Sequence, residues 1–345
     1  MGIVEEDVNS LVGSLDAEGV SFRGKSVLVT GGAGFLGSWI CDVLVKQGAQ
    51  VICVDNFSSG QRANIGHLVG SSNFRLVEHD ISQPIFFDEK IDVVMHLASR
   101  ASPFEFGRFP IQILKANTLG TWIVLGIAKK HKARLVYAST SEIYGDPDPA
   151  YIPTPETYNG NVNPVGSRSC YDEAKRAGEA FVTAYRTQHG LDDRIARIFN
   201  TYGPRMRPGD LYGRVIPRFI DQAVNGQPLT VFGDGTQTRS FCYATDTVMS
   251  LLLLATSDRT EGEVVNVGNT QEISILELAK RIREITACES DLTFHPLPED
   301  DPKRRCPDTS KLEELTGWKP EVSFEEGLEK TISWFSSSRI EKTHI

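Results

Sequence analysis

The chain has 345 residues, 40% hydrophobic and 23% charged, an ordinary composition for a soluble globular protein with one large or two ordinary domains. The formal net charge of −9 at pH 7 excludes a broad electrostatic grip on nucleic acid or on an anionic membrane. An anionic ligand must then be held by a local cluster of cations or backbone amides. Six cysteines, at 41, 53, 170, 242, 288 and 306, include no C-x-x-C pair. That argues against a zinc site and a disulfide framework, so no metal is expected and a reducing, cytoplasmic setting is. No run approaches ~18 consecutive apolar residues, and the first twenty residues carry acid where a signal peptide carries base. No membrane helix is expected.

Residues 1–21 read as a polar arm or a short amphipathic helix. KSVLVT (25–30) is the first strand, followed by GGAGFLG and a helical SWICDVLVKQG. AQVICVD (49–55), FRLVEHD (74–80) and IDVVMHLA (91–98) are further strands. A long helix covers about 110–132, then come ARLVYAST (133–140), a helix from near Tyr171 to His189, and DRIARIFN (193–200). Nearly continuous apolar strands alternating with helices predict an α/β fold, a Rossmann-type doubly wound parallel sheet. This dinucleotide-binding domain is assigned 22–200, with 242–268 returning to it. A smaller C-terminal α/β domain, 201–241 and 269–336, is assigned to substrate, and 337–345 form a tail.

Gly31, Gly34 and Gly37 stand between a strand and a helix. There a tight turn brings backbone amides and a helix N-terminus to a pyrophosphate. Asp55 closes the next strand and is placed to accept hydrogen bonds from an adenosine ribose diol, favouring NAD over NADP. Arg62 nearby is a mild counter-signal, because a guanidinium can reach a 2′-phosphate.

Tyr171 and Lys175 form Y-x-x-x-K, which puts both side chains on one helix face. A lysine beside a phenol favours the phenolate, lowering a reference pKa of about 10 toward working pH. Such a tyrosine can remove a hydroxyl proton while a hydride leaves the same carbon. Thr140 ends the fifth strand, where ligands meet open α/β sheets, and its hydroxyl is placed to bond the same substrate oxygen.

The G-x-x-G-x-x-G spacing resembles the extended short-chain dehydrogenase/reductase family of nucleotide-sugar epimerases, dehydratases and decarboxylases. The resemblance implies a bound, recycled NAD held also by Phe35, Leu36, Asn56, Asp80, Ile81 and Leu97, with Tyr171 and Lys175. Related dehydratases carry T-D-E after the fifth strand; this chain has Thr140, Ser141 and Glu142, so the elimination acid is missing while the Glu is kept. That fits chemistry at C5 without loss of water. Decarboxylation of a 4-keto uronic acid is such a reaction, and it needs a cation for the carboxylate.

HLASRASP (96–103), STSEIYGDP (139–147), NVNPVGSRSCYDEAKR (161–176), ARIFNTYGPRM (196–206), LTVFGDGTQTRSF (229–241), DDPKRRCPD (300–308) and GWKP (317–320) resemble segments of UDP-glucuronate decarboxylases. The resemblance implies that Arg305 anchors the carboxylate, Asn200 meets the diphosphate, and Arg214 and Arg239 bind UDP. Glu142, with Ser141, manages the carboxylate and C5 protonation. It also implies a homodimer through the 110–132 and Tyr171 helices. Competing outcomes for the same triad are 4-epimerisation or early release of UDP-4-keto-pentose; a scaffold without turnover has no need of a phenolate. Departures include Arg100 in place of a proline, Ser167, Phe232, Cys306 and the longer run RPGDLYGR (207–214).

Overall fold

Each β-branched run forms a strand because its side chains are buried on both faces of a covered sheet. The computed structural model describes residues 2–207, 214–297 and 303–340, with side chains to 337. Most of RPGDLYGR (208–213), the start of DDPKRRCPD (300–302) and the end of the tail (341–345) lie outside the described residues. The first part of the chain runs α1 (Ile3–Ala17), β1 (Ser26–Thr30), α2 (Phe35–Lys46), β2 (Gln50–Asp55), β3 (Phe74–Glu78) and β4 (Val93–His96). It continues through α3 (Pro103–Phe106), α4 (Pro110–Asn117), α5 (Leu119–His131), β5 (Arg134–Thr140), α6 (Ser169–His189) and β6 (Asp193–Ile198).

Then follow β7 (Thr201–Tyr202), α7 (Val215–Val224), β8 (Leu229–Phe232), β9 (Thr238–Ser240), β10 (Cys242–Tyr243), α8 (Ala244–Thr256) and β11 (Val264–Val267). The chain ends with β12 (Glu272–Ser274), α9 (Ile275–Thr286), β13 (Leu292–His295), β14 (Arg304–Arg305), α10 (Ser310–Thr316) and α11 (Phe324–Ile340).

Seven parallel strands order as β11-β6-β5-β4-β1-β2-β3. The order reverses between β1 and β4, which opens a crevice at the carboxyl ends of these two strands. One face packs under α1, α2, α8 and α10, around Trp39, Leu44, Leu252 and Leu312. The other packs under α5 and α6, around Val124, Leu125, Tyr137 and Val182. The approach of α6 to β5 is close: a Cβ on Gly178 would stand 2.0 Å from the Tyr137 hydroxyl. That contact presses the Tyr171–Lys175 face onto the end of β5.

The second domain has its own core, with Phe219, Ile220, Val231, Leu278, Ile282 and Leu328. Its strands are short: β8 pairs with β13, and β9 lies between β12 and β14. After β10, α8 packs on the large sheet and β11 joins its edge beside β6. The boundary expected at 269–336 is too broad, because Leu312 and Trp318 pack in the core of the large domain.

Residues 1–21 are no loose arm. Val8, Leu11 and Leu15 of α1 are buried against α2 and α8, worth about 1.5–3 kcal/mol each as burial. Asp7 accepts hydrogen bonds from Tyr243 (2.7 Å) and Lys330 (2.9 Å), so α1 also ties the large domain to α11. The long helix expected at 110–132 is two helices that break at Thr118, whose hydroxyl bonds back to the Leu114 carbonyl at 2.7 Å. By length and composition Pro110–His131 is apolar enough to cross a membrane, but 44% of its most apolar window is buried inside the protein.

Candidate active site

A cleft of about 810 Å³ runs along the carboxyl ends of the large sheet and under the second domain. Ten arginines and lysines and four carboxylates line it, an excess of six positive charges in an acidic protein. The charge balance of the sequence is therefore inverted where it matters.

Gly31 leaves β1 at φ +73°, and a Cβ on Gly37 would fall 2.1 Å from the Gly31 carbonyl oxygen. Only glycine lets α2 start this close to the turn. Asp55, at the end of β2, accepts from the backbone of Ala33 (2.9 Å) and Phe57 (2.8 Å), and burial raises its pKa. Phe35, Leu36, Asn56, Asp80, Ile81 and Leu97 line the same end of the cleft. Arg62 is paired with Glu78 and lies 4.0 Å over the Phe57 ring, which accounts for it without a 2′-phosphate. The glycine cradle and the ribose-facing carboxylate fit a dinucleotide with a free 2′-hydroxyl.

Tyr171 lies in the first turn of α6 and stacks on Phe106, with centroids 5.1 Å apart. Burial pushes its phenol above the usual value. A hydrogen bond with Thr140 and the charge of Arg214 pull it down, while Glu142 adds to the rise. Lys175 donates to the Ala138 carbonyl at 2.7 Å and stands 6.0 Å from the Tyr171 centroid. Burial lowers its pKa to about 7. One Lys175 N–H is thus spent on a backbone carbonyl, and Arg214 is a second cation whose charge lowers the Tyr171 pKa.

Glu142 stands in the 3₁₀ turn after β5, where its amide donates to Thr140 Oγ1 at 3.2 Å. Its carboxylate is held between Arg168 and Arg305. Burial opposes its ionisation, yet the two guanidiniums hold its pKa down to about 2. On β14 the side chains divide: Arg304 pairs outward with Glu272, and Arg305 turns inward, 4% exposed, also donating to Gly145 O at 3.2 Å. The Arg305 Nε is buried with no partner among the described residues. Asp172, next to Tyr171, faces Arg168 from 3.8 Å, and burial and Glu142 push its pKa up to about 7.

Ser141, Asn200, Arg214 and Arg239 also line the cleft. Asn200 Nδ2 is buried without a partner among the described residues. Arg239 and Arg305 are register partners on β9 and β14. The motif around Tyr171 contained Arg168, but nothing in its spacing marked that residue as the second cation on Glu142. Glu105 and Phe106 were missed because a four-residue helix carries no periodic signal.

The fold and this constellation define a nucleotide-sugar-modifying dehydrogenase class. The chain belongs to the NAD dependent epimerase/dehydratase family, whose model matches residues 27–268. Its similarity narrows further to UDP-glucuronic acid decarboxylases. UDP-glucuronic acid decarboxylase 1 of Danio rerio is 48% identical over 312 residues, 90% of this chain and 73% of that protein. Among solved structures, the UDP-glucose 4-epimerase of Thermotoga maritima is 31% identical with a TM-score of 0.84, covering 91% of this chain and 99% of that one. The UDP-glucuronic acid 4-epimerase of Bacillus cereus, in complex with UDP-glucuronic acid and NAD, is 29% identical with a TM-score of 0.81, covering 91% and 99%.

Proposed function

We propose that the chain is an NAD-dependent UDP-glucuronate decarboxylase that makes UDP-xylose. The observation that carries this reading is the Arg168–Glu142–Arg305 arrangement beside Tyr171. It offers a uronate carboxylate two guanidiniums that already hold a carboxylate in the same place. Relatives named UDP-glucuronic acid decarboxylase support the same conclusion.

NAD, held by the glycine turn and Asp55, supplies the hydride acceptor and donor and a positively charged ring. Tyr171 takes the proton of the C4 hydroxyl as C4 becomes a ketone, and Thr140 holds the oxygen in line. The substrate is then a β-keto acid. Its C5–C6 bond electrons pass into a C4–C5 enolate as carbon dioxide leaves. C5 takes a proton, C4 is reduced again, and Tyr171 returns the proton to the C4 oxygen. Without substrate, Arg168 and Arg305 hold the Glu142 pKa down to about 2. A uronate carboxylate on Arg305 takes one of these cations away, so the pKa rises while the substrate is bound. Glu142 then serves the protonation of C5 and re-pairs with Arg305 when the carboxylate has gone.

Incubation with UDP-glucuronate, followed by NMR and by carbon dioxide release, tests the proposal. UDP-xylose with stoichiometric carbon dioxide is expected. UDP-galacturonate without carbon dioxide would overturn it, and UDP-4-keto-pentose would replace the last step by early release.

A homodimer is part of the proposal. Ile111 (57% exposed), Leu114 (37%), Trp122 (54%) and Phe181 (36%) present apolar surface on α4, α5 and α6, a patch suited to a second copy of the chain. Trp122→Glu is expected to convert a dimer to a monomer in analytical ultracentrifugation; an unchanged mass sinks this interface. A reducing, cytoplasmic setting is also proposed, supported by six free cysteines of which five are buried.

A further inference from the structure

Arg207 enters the cleft from the loop after β7, and that loop is pinned to α2 twice. Trp39 Nε1 donates to the Pro204 carbonyl at 3.2 Å, and Arg205 pairs with Asp42 at 2.7 Å. The backbone that carries Arg207 is thus fixed two residues upstream.

Beside it in the cleft stands Glu105 of α3, 4% exposed. Its Oε1 accepts from Arg100 Nη1 at 2.6 Å, and the Arg100 guanidinium lies 4.4 Å over the Phe109 ring. This gives Arg100, the departure noted in the sequence, a partner inside the protein. Arg207 Nη1 reaches the same Glu105 oxygen, but from 3.4 Å. One carboxylate therefore faces two guanidiniums. The short contact joins side chains 14% and 6% exposed, whereas Arg207 is 40% exposed.

The two contacts are not equivalent. Withdrawing Arg100 would leave a buried carboxylate without its near partner, a costly state. Withdrawing Arg207 leaves Glu105 paired and a half-solvated guanidinium facing the cleft. Arg207 is the arm that an incoming anion can take. A uronate carboxylate has Arg168 and Arg305 on Glu142. Arg207 instead belongs with Arg214, which lines the same cleft and feels the charges of both Arg207 and Tyr171, and with the Asn200 amide there, buried and without a partner among the described residues. That stretch of chain faces the phosphates in the reading above.

We propose that Arg207 is a further substrate-positioning residue that binds the diphosphate of the UDP-sugar. The proposal rests on a UDP-sugar occupying the cleft. UDP, which has the diphosphate and no sugar, is the discriminating probe. Calorimetric titration of UDP into the NAD-loaded protein is expected to show about tenfold weaker binding for Arg207→Gln, about 1.4 kcal/mol. Arg207→Lys should recover part of the loss, and turnover of UDP-glucuronate should show the defect in KM rather than kcat. Unchanged UDP affinity in Arg207→Gln, with an unchanged melting temperature, overturns the proposal. So does a loss confined to UDP-glucuronate, which would make Arg207 a carboxylate reader. If the unsubstituted protein binds no UDP, the nucleotide-sugar reading falls and this one with it.

Discussion

Tyr171→Phe should lower kcat by about 10²- to 10⁴-fold, the range for loss of a positioned acid–base group. The substitution keeps the ring that stacks on Phe106 at 5.1 Å and removes only the hydroxyl that bonds Thr140. Melting temperature and NAD affinity should therefore stay close to those of the unsubstituted protein. The pH dependence has a defined sign. Burial raises the phenol pKa and the phenolate is the working form, so kcat rises with pH through that ionisation and the phenylalanine variant loses the rise. A variant that folds, binds NAD and keeps its turnover would remove Tyr171 from the chemistry.

Arg305→Ala should lower kcat/KM for UDP-glucuronate by about 10²- to 10³-fold, the scale for breaking a buried, hydrogen-bonded charge pair. Affinity for UDP, which lacks the carboxylate, should be nearly unchanged. The substitution leaves Glu142 with Arg168 alone, so its pKa rises from about 2, and some acid-range stability is lost. The sign follows from linkage. A depressed carboxylate contributes stability above its unfolded pKa and loses it as pH falls through the folded value, so a smaller depression means a smaller contribution. Arg305→Lys separates structure from recognition: it restores the charge and part of the activity, but not the forked geometry. Equal losses for UDP and UDP-glucuronate would count against the carboxylate role.

Much of the fold is legible in the sequence because it rests on local patterns. Five-residue apolar runs such as Ser26–Thr30, followed by glycines and a helix, specify a covered parallel strand whatever lies elsewhere in the chain. The resemblance of whole segments added residues such as Arg305 whose own neighbourhood, Lys303–Arg304–Arg305, says nothing about which cation turns inward. Other readings stay open or fall short where a weak local signal meets strong tertiary packing. For the N-terminal twenty residues a polar arm and an amphipathic helix are both open, and packing decides for the helix: Val8, Leu11 and Leu15 fill a groove between α2 and α8. The helical pattern at 110–132, read as one helix, divides at Thr118, whose hydroxyl returns to the Leu114 carbonyl.

The sequence by itself determined the doubly wound sheet, the dinucleotide turn with its acidic partner, and the placing of Tyr171 and Lys175 on one helix face. These depend on patterns and spacings that are local along the chain. Only the tertiary structure decided how charges meet. Lys175 turns to a carbonyl, Arg214 faces the phenol, Arg168 and Arg305 converge on Glu142, and Arg100 and Arg207 share Glu105. The physical reason is that Coulomb energy depends on separation in space and on burial. A chain with a net charge of −9 can therefore gather an excess of six positive charges around one cleft, from residues up to 205 positions apart.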